Sequence, residues 1–229
     1  MCGRFTLRTP AYKLAEAFSV EVRANLAARY NIAPSQDIAA LRVDADNDRE
    51  LVMLRWGLVP GWAKDPAMGN RMINARAETV ADKPAFRAAF RQRRCLIPAD
   101  GFYEWQKTPD GSKQPYLIAR PDGEPFAMAG LWEHWQPPGV EAPLETCAII
   151  TAEANATVAP IHHRMPVIVG AGDRDAWLDP APPSAESLTA LLRPAPDEDL
   201  TAQAVDRHVN NTRHDDPACI EPAAGGLLL

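Results

Sequence analysis

The first five residues, Met1-Cys2-Gly3-Arg4-Phe5, place a cysteine where a chain can acquire chemistry that an internal cysteine lacks. A small second residue permits trimming of the initiator methionine, which leaves Cys2 with a thiol and a free α-amine on adjacent carbons. Such a 1,2-aminothiol condenses with an aldehyde. The amine forms an imine, and the sulfur then closes a five-membered thiazolidine ring. An α-amine titrates near ~7.7–8.0 and a thiol near ~8.5, so both nucleophiles are partly available at neutral pH.

Other side chains have the chemistry to serve that pair. Glu104 stands among Phe102, Tyr103 and Trp105. Aromatic surroundings strip water from a carboxylate and raise its pKa toward acid–base use, although on local grounds alone an outward-facing Glu on a half-exposed strand is the preferred reading. His162-His163-Arg164 follows a proline, and a loop imidazole shuttles protons at neutral pH. Adjacent histidines in extended chain point opposite ways, so one at most faces a given site. Asn74, Arg76 and Glu78 alternate and share one face of an extended segment, offering a neutral hydrogen-bonding group and a phosphate clamp. Trp62 and Trp105, with Arg4, Lys64, Arg76 and Arg164, suit single-stranded nucleic acid, whose bases stack on rings while cations hold the backbone. Cys2, His162 and Asn74 are also the ingredients of a thiol-peptidase triad, although a nucleophile at the chain start more naturally uses its own amine as base. Covalent capture of an aldehyde, peptide hydrolysis and noncovalent strand binding all fit these residue types.

The elements that must position them are mostly short strands. Thr9-Pro10 predicts a helix running to Ser19, with Thr9 as cap. Tyr30 to Pro34 reads as irregular chain before a proline. Ile38–Val43 and Leu51–Trp56 read as a hairpin around the polar run Asp44–Arg49. A glycine- and proline-punctuated loop, 57–66, leads to the extended 72–78 segment. A helix is predicted from about Asp82 to Gln92, followed by strands at 95–98, 101–105, 116–119, 126–132 and 147–151. A short helix at 154–158, a strand at 165–169, helices at 173–178 and 184–192, and a strand near 203–205 complete the series. This order predicts an α+β fold, a single domain over 1–229 with a bent mixed sheet or β-barrel-like core and a few peripheral helices. Residues 223–229 read as a frayed tail.

Bulk properties narrow the class. Apolar residues make up 46% and charged residues 24% of the 229, which is ordinary for a globular protein. No apolar run reaches the length of a membrane span and no secretory signal is visible, so the expectation is a cytoplasmic protein, associated with the nucleoid when on DNA. Cys2, Cys95, Cys147 and Cys219 form no CxxC pair and no zinc spacing, and neither Cys147 nor His134 is placed to join His162 or His163 as ligands. No metal and no cofactor are expected. The net charge is −6, but residues 1–110 hold 17 Lys and Arg against 13 Asp and Glu, while the remainder holds 7 against 17. That asymmetry allows a basic face for a polyanion on an acidic protein.

Six segments, in order, resemble the SOS response-associated peptidase (SRAP) family: Met1–Phe5, Tyr30–Pro34, Trp56–Trp62, Ile73–Glu78, Gly101–Trp105 and Ile161–Pro166. The resemblance implies a protein that crosslinks to abasic sites in single-stranded DNA through the processed Cys2, shielding them in the DNA damage response. It implies that Asn74 positions the Cys2 amine and that Glu104 is the acid–base, with His162 as its partner. It assigns DNA contacts to Arg4, Asn31, Trp62, Arg76, Trp105, Thr151 and Arg164. It also implies lyase activity and a peptidase activity that removes the residue before Cys2. The expected partner is single-stranded DNA containing abasic sites, bound by a monomer away from membranes. The chain departs from the family pattern at His163, where an acidic residue is expected, and at Ala63, where some relatives carry a second tryptophan.

Overall fold

The run from Asp44 to Asp48 folds because one carboxylate organises it: Asp44 Oδ1 accepts the backbone N–H groups of Asp46 and Asp48, each at 2.9 Å. The turn joins the first hairpin of a computed structural model that describes residues 2–21, 26–44, 46–137, 139, 141–182 and 184–224. In chain order its elements are β1 (Phe5–Leu7), α1 (Ala11–Phe18), β2 (Arg29–Ile32), β3 (Asp37–Val43), β4 (Arg49–Trp56), β5 (Asn74–Arg76), α2 (Arg87–Gln92) and β6 (Arg94–Ala99). Then come β7 (Gly101–Lys107), β8 (Lys113–Ala119), β9 (Phe126–Trp135), β10 (Leu144–Glu153), β11 (Arg164–Pro166), β12 (Ile168–Val169), α3 (Arg174–Leu178), α4 (Ala185–Ala190) and β13 (Thr201–Ala204).

Five strands close on themselves. β10 pairs with β4, β4 with β3, β3 with β6, β6 with β9, and β9 returns to β10. The β4–β10 pairing is parallel and the rest are antiparallel, so this is a mixed barrel, as the sequence predicts. A second sheet, β13-β8-β7-β1-β2, lies against it. Rings from the two sheets meet across the junction. Phe5 meets Trp56 edge-on at 5.4 Å and Phe102 meets Phe126 at 6.5 Å, contacts that bury large apolar area in favourable ring geometry. Arg94, at the start of β6 and 4% exposed, donates to the carbonyls of Phe90, Trp177 and Asp179 and so ties α2 and α3 to the barrel.

One edge of β10 serves two parallel partners in succession. Thr146 and Cys147 pair with Arg55 and Trp56 at the end of β4, whereas Ile149 to Thr151 pair with Asn74 to Arg76 in β5. Between them the chain leaves the sheet at Gly57, whose φ of 137° is open to glycine and whose added Cβ would meet the Gly69 carbonyl oxygen at 2.7 Å. The 57–73 excursion therefore returns in register and delivers Asn74.

Several local expectations are revised. Pro10, not Thr9, caps α1, because the Thr9 hydroxyl and N–H are both engaged by the Asp100 carboxylate. Arg29–Ile32 is a strand, since β1 offers it a pairing edge and Pro34 falls beyond its end. The 82–92 segment begins as turns and becomes helical only at Arg87. Residues 156–161 form turns, with Asn155 Oδ1 capping Val158 N–H, in place of the 154–158 helix. The 165–169 strand is split at Val167, whose N–H bonds Ile150 and whose carbonyl bonds Ala129, so the chain crosses from β10 to β9. Of the tail, residues 225–229 lie outside the described residues.

Gly57→Ala is expected to destabilise the protein by about 1–3 kcal/mol through backbone strain alone, read as a lowered urea midpoint at unchanged m-value.

Candidate active site at the sheet junction

Cys2 precedes β1 and is fully buried. β1 is held between β2 and β7, with Phe5 opposite Phe102 and Tyr103 N–H donating to Arg4 O at 3.0 Å. That antiparallel register brings the chain start alongside Glu104. From the other sheet, Asn74 Nδ2 donates to the Cys2 carbonyl at 2.8 Å. The Asn74 Oδ1 is buried and makes no hydrogen bond among the described residues. A buried acceptor left so is costly unless a donor arrives, which is the condition of a binding atom.

Glu104 is 3% exposed, and burial raises its carboxyl pKa to about 7. Burial, and then the Glu104 charge, push the Cys2 thiol well above its usual range, so the resting sulfur carries its proton. His162 Nδ1 lies 3.9 Å from Glu104 Oε1. The Arg164 N–H donates to that same Nδ1 at 3.0 Å, and the Arg164 carbonyl oxygen lies 3.2 Å from it. Burial lowers the His162 pKa, keeping it neutral. The His163 ring lies over it with centroids 4.4 Å apart. Three groups of different chemistry thus stand together with little net charge at neutral pH.

The expected DNA contacts divide by what their side chains already hold. Arg4 Nη1 donates to Asn31 Oδ1 at 2.8 Å and Val209 O at 2.9 Å, and its guanidinium lies 5.8 Å from the Trp105 ring centroid. Asn31 is fully buried and its Nδ2 reaches the carbonyls of Val209, Asn211 and His214. Arg164 forms a two-bond fork with Glu78, at 2.6 and 3.0 Å, and also donates to the Thr151 carbonyl. Thr151 is buried. In this conformation Asn31, Thr151 and Arg164 are buried with their side chains held by protein partners. Arg76 is exposed and, with Glu153, His163 and Arg164, lines a depression of about 460 Å³. Trp62 is 60% exposed on the loop that leads to Asn74, and Trp105 is half-buried.

Two positioning groups were not legible in the sequence. Asn210 Oδ1 accepts the Trp105 indole N–H at 2.8 Å and its carbonyl accepts from Arg4. Asp215 binds Arg29 and the backbone N–H groups of Tyr30 and Asn31. The polar loop around them carries no periodic pattern, so composition alone marks it as turn.

The SOS response associated peptidase (SRAP) family model matches residues 1–212. The chain is 42% identical over 224 residues to the abasic site processing protein YoqW of Bacillus subtilis, covering 96% of this chain and 99% of that one. It is 36% identical over 208 residues to the abasic site processing protein HMCES of Gallus gallus, covering 80% and 61% respectively. A crystal structure of a protein from Bacteroides thetaiotaomicron superposes with a TM-score of 0.87 at 25% identity, over 97% of this chain and all of that one.

Because Glu104 has a pKa of about 7 when folded and an ordinary glutamate's 4.5 when unfolded, the folded state prefers its protonated form. Its contribution is therefore lost as pH rises from about 4.5 through about 7, a loss of roughly 3 kcal/mol when complete. Glu104→Gln, which cannot ionise, is expected to match the wild type in thermal midpoint near pH 4 and to exceed it at pH 8. A constant gap across that range would contradict the assignment.

Proposed function

The chain belongs to the SOS response-associated peptidase family, and from that premise we propose that it processes abasic sites in DNA by covalent capture on Cys2. The observation that carries this reading is the buried cluster itself: a second-position cysteine beside a carboxyl of pKa about 7, tethered by Asn74. The ring-opened abasic sugar is the electrophile, because its C1′ aldehyde is the group a 1,2-aminothiol condenses with.

The steps balance as follows. Removal of Met1 frees the Cys2 amine, and Asn74 Oδ1 accepts one of its N–H groups and orients the nitrogen lone pair. The amine adds to C1′ and gives a carbinolamine. Protonated Glu104 delivers its proton to the departing hydroxyl, water leaves, and an iminium remains beside the Glu104 carboxylate. The Cys2 sulfur then bonds C1′ while its proton passes to Glu104, regenerating the acid. The net change is aldehyde plus aminothiol to thiazolidine plus water. The neutral thiol supports this order, since a resting thiolate would need no base. His162, neutral and 3.9 Å from Glu104, assists these proton transfers.

Single-stranded DNA fits the surroundings. The missing base leaves a gap, Trp62 and Trp105 offer stacking faces, and Arg76 supplies an exposed cation. Arg4, Asn31, Thr151 and Arg164 act in this reading mainly by shaping the wall that the strand follows. The same iminium can lose its C2′ proton and expel the 3′ phosphate, so lyase activity is a side reaction of one intermediate. The peptidase activity required is removal of Met1 in cis.

Mixing the methionine-free protein with an abasic-site oligonucleotide is expected to give a band on a denaturing gel that survives heating and is absent in Cys2→Ala. If the folded, methionine-free protein yields none while cleaving peptides through Cys2, a general peptidase is the better reading. Asn74→Ala is expected to slow crosslinking by roughly tenfold or more through loss of orientation. The rate is expected to fall as pH rises past about 7, as the Glu104 acid is lost, and Glu104→Gln is expected to remove that limb of the profile.

A further inference from the structure

Beyond the Arg4 clasp, His208, Asp216 and Cys219 bring an imidazole, a carboxylate and a thiol together, with ligand atoms within 4.8 Å of one another. His208 sits on a 3-10 turn over Arg207–Asn210, and Cys219 on another over Pro217–Ile220. Aspartates cap both turns: Asp206 accepts from the His208 N–H at 2.7 Å and Asp216 from the Ala218 N–H at 3.0 Å. His208 Nε2 lies 3.2 and 3.0 Å from the two Asp216 oxygens. The His214 ring stacks on His208 with centroids 3.8 Å apart and fixes its plane. Cys219 is fully buried, with its sulfur 3.5 Å from the His214 carbonyl oxygen.

We propose that these residues bind a divalent transition-metal cation of borderline softness, Zn²⁺ above all, through His208 Nε2, an Asp216 oxygen and Cys219 Sγ. The His214 carbonyl or a water completes a tetrahedron. Ligand atoms around tetrahedral zinc lie roughly 3.3–3.6 Å apart, given its Zn–N and Zn–S bond lengths, so side-chain adjustments of rotamer scale bring the three into place. A thiolate and an imidazole in the set select against Mg²⁺ and Ca²⁺, which take oxygen ligands. On uptake three coordinate bonds form and the Cys219 S–H bond breaks, its proton leaving to solvent. Before uptake the His208 Nε2–H donates to the Asp216 carboxylate; on uptake the ring proton moves to Nδ1 through solvent, which frees the Nε2 lone pair for the metal, and Asp216 turns one carboxylate oxygen to it.

The sequence expectation of no metal rested on paired Cys and His spacings. Here the spacing is His-x7-Asp-x2-Cys, which matches none of them, and the three meet only because two capped turns face each other. The segment between the ligands carries the Val209, Asn211 and His214 carbonyls that receive Asn31, and Val209 O also receives Arg4. A bound metal would therefore fasten the loop that holds the chain start.

The test is a Co²⁺ titration in a Cys2→Ala background, which removes the aminothiol as a competing chelator. The expected result is a thiolate-to-cobalt charge-transfer band with tetrahedral visible absorption, saturating at one equivalent, bleached by Zn²⁺ and absent when Cys219→Ser is added. Equimolar Zn²⁺ is expected to raise the thermal midpoint of the Cys2→Ala protein and not that of the double variant. No charge-transfer band in Cys2→Ala protein with native circular dichroism would overturn the site, leaving His208–Asp216 as a hydrogen-bonded pair beside an inert thiol. A band that persists without Cys219 would overturn it equally.

Discussion

The hydrogen bond from Asn74 Nδ2 to the Cys2 carbonyl crosses from one sheet to the other and holds the chain start against the barrel. A chain terminus is normally the least ordered part of a domain, because nothing precedes it to share the entropy of fixing it. Here β1 is clamped on both edges by β2 and β7, and Asn74 adds an anchor from the barrel side. Asn74 can do so because β10 gives up one partner, β4, and takes another, β5, along the same edge. The gap between those partners is where the barrel opens toward the terminus.

Burial then sets the chemistry. Removing water disfavours whichever form of a group is charged, so the Cys2 thiol and Glu104 carboxyl are pushed up while His162 is pushed down. The groups are left close to neutral and close together, and protons can move among them with little separation of charge. The permanent cations nearby are handled differently. Arg164 is matched by Glu78 and Arg4 by carbonyls and Asn31, so their charges orient the wall without ionising the thiol.

The barrel hairpin was legible because a carboxylate-rich turn separates two apolar runs, and the shared face of Asn74, Arg76 and Glu78 because strand alternation is strict. Ala75 and Ala77 between them are buried, as that periodicity requires. The local pattern around Glu104 favoured an outward carboxylate, yet it is buried, because the register of β1 on β7 turns it inward. Asn31 and Thr151 could be named from family resemblance, but their burial could not, since a polar residue in a strand gives no sign of being fully bonded inside. Asn210, Asp215 and the His208 cluster were invisible because their partners lie far away in sequence, joined by loops whose composition says only that they turn.

The wide sequence separation of the Cys2 surroundings also bears on how the protein is made. Residue 2 is made early, yet it is held by residue 74 beside residue 104, and Arg4 waits for the carbonyls of 209 and 210. At translation rates of about 5–20 residues per second, the first strand has no complete docking surface for roughly 10–40 seconds. Throughout that interval the proposed removal of Met1 in cis has no assembled site in which to occur. The topology thus orders two events in time: burial of residue 2 comes first, and the proposed cis removal of Met1 follows it.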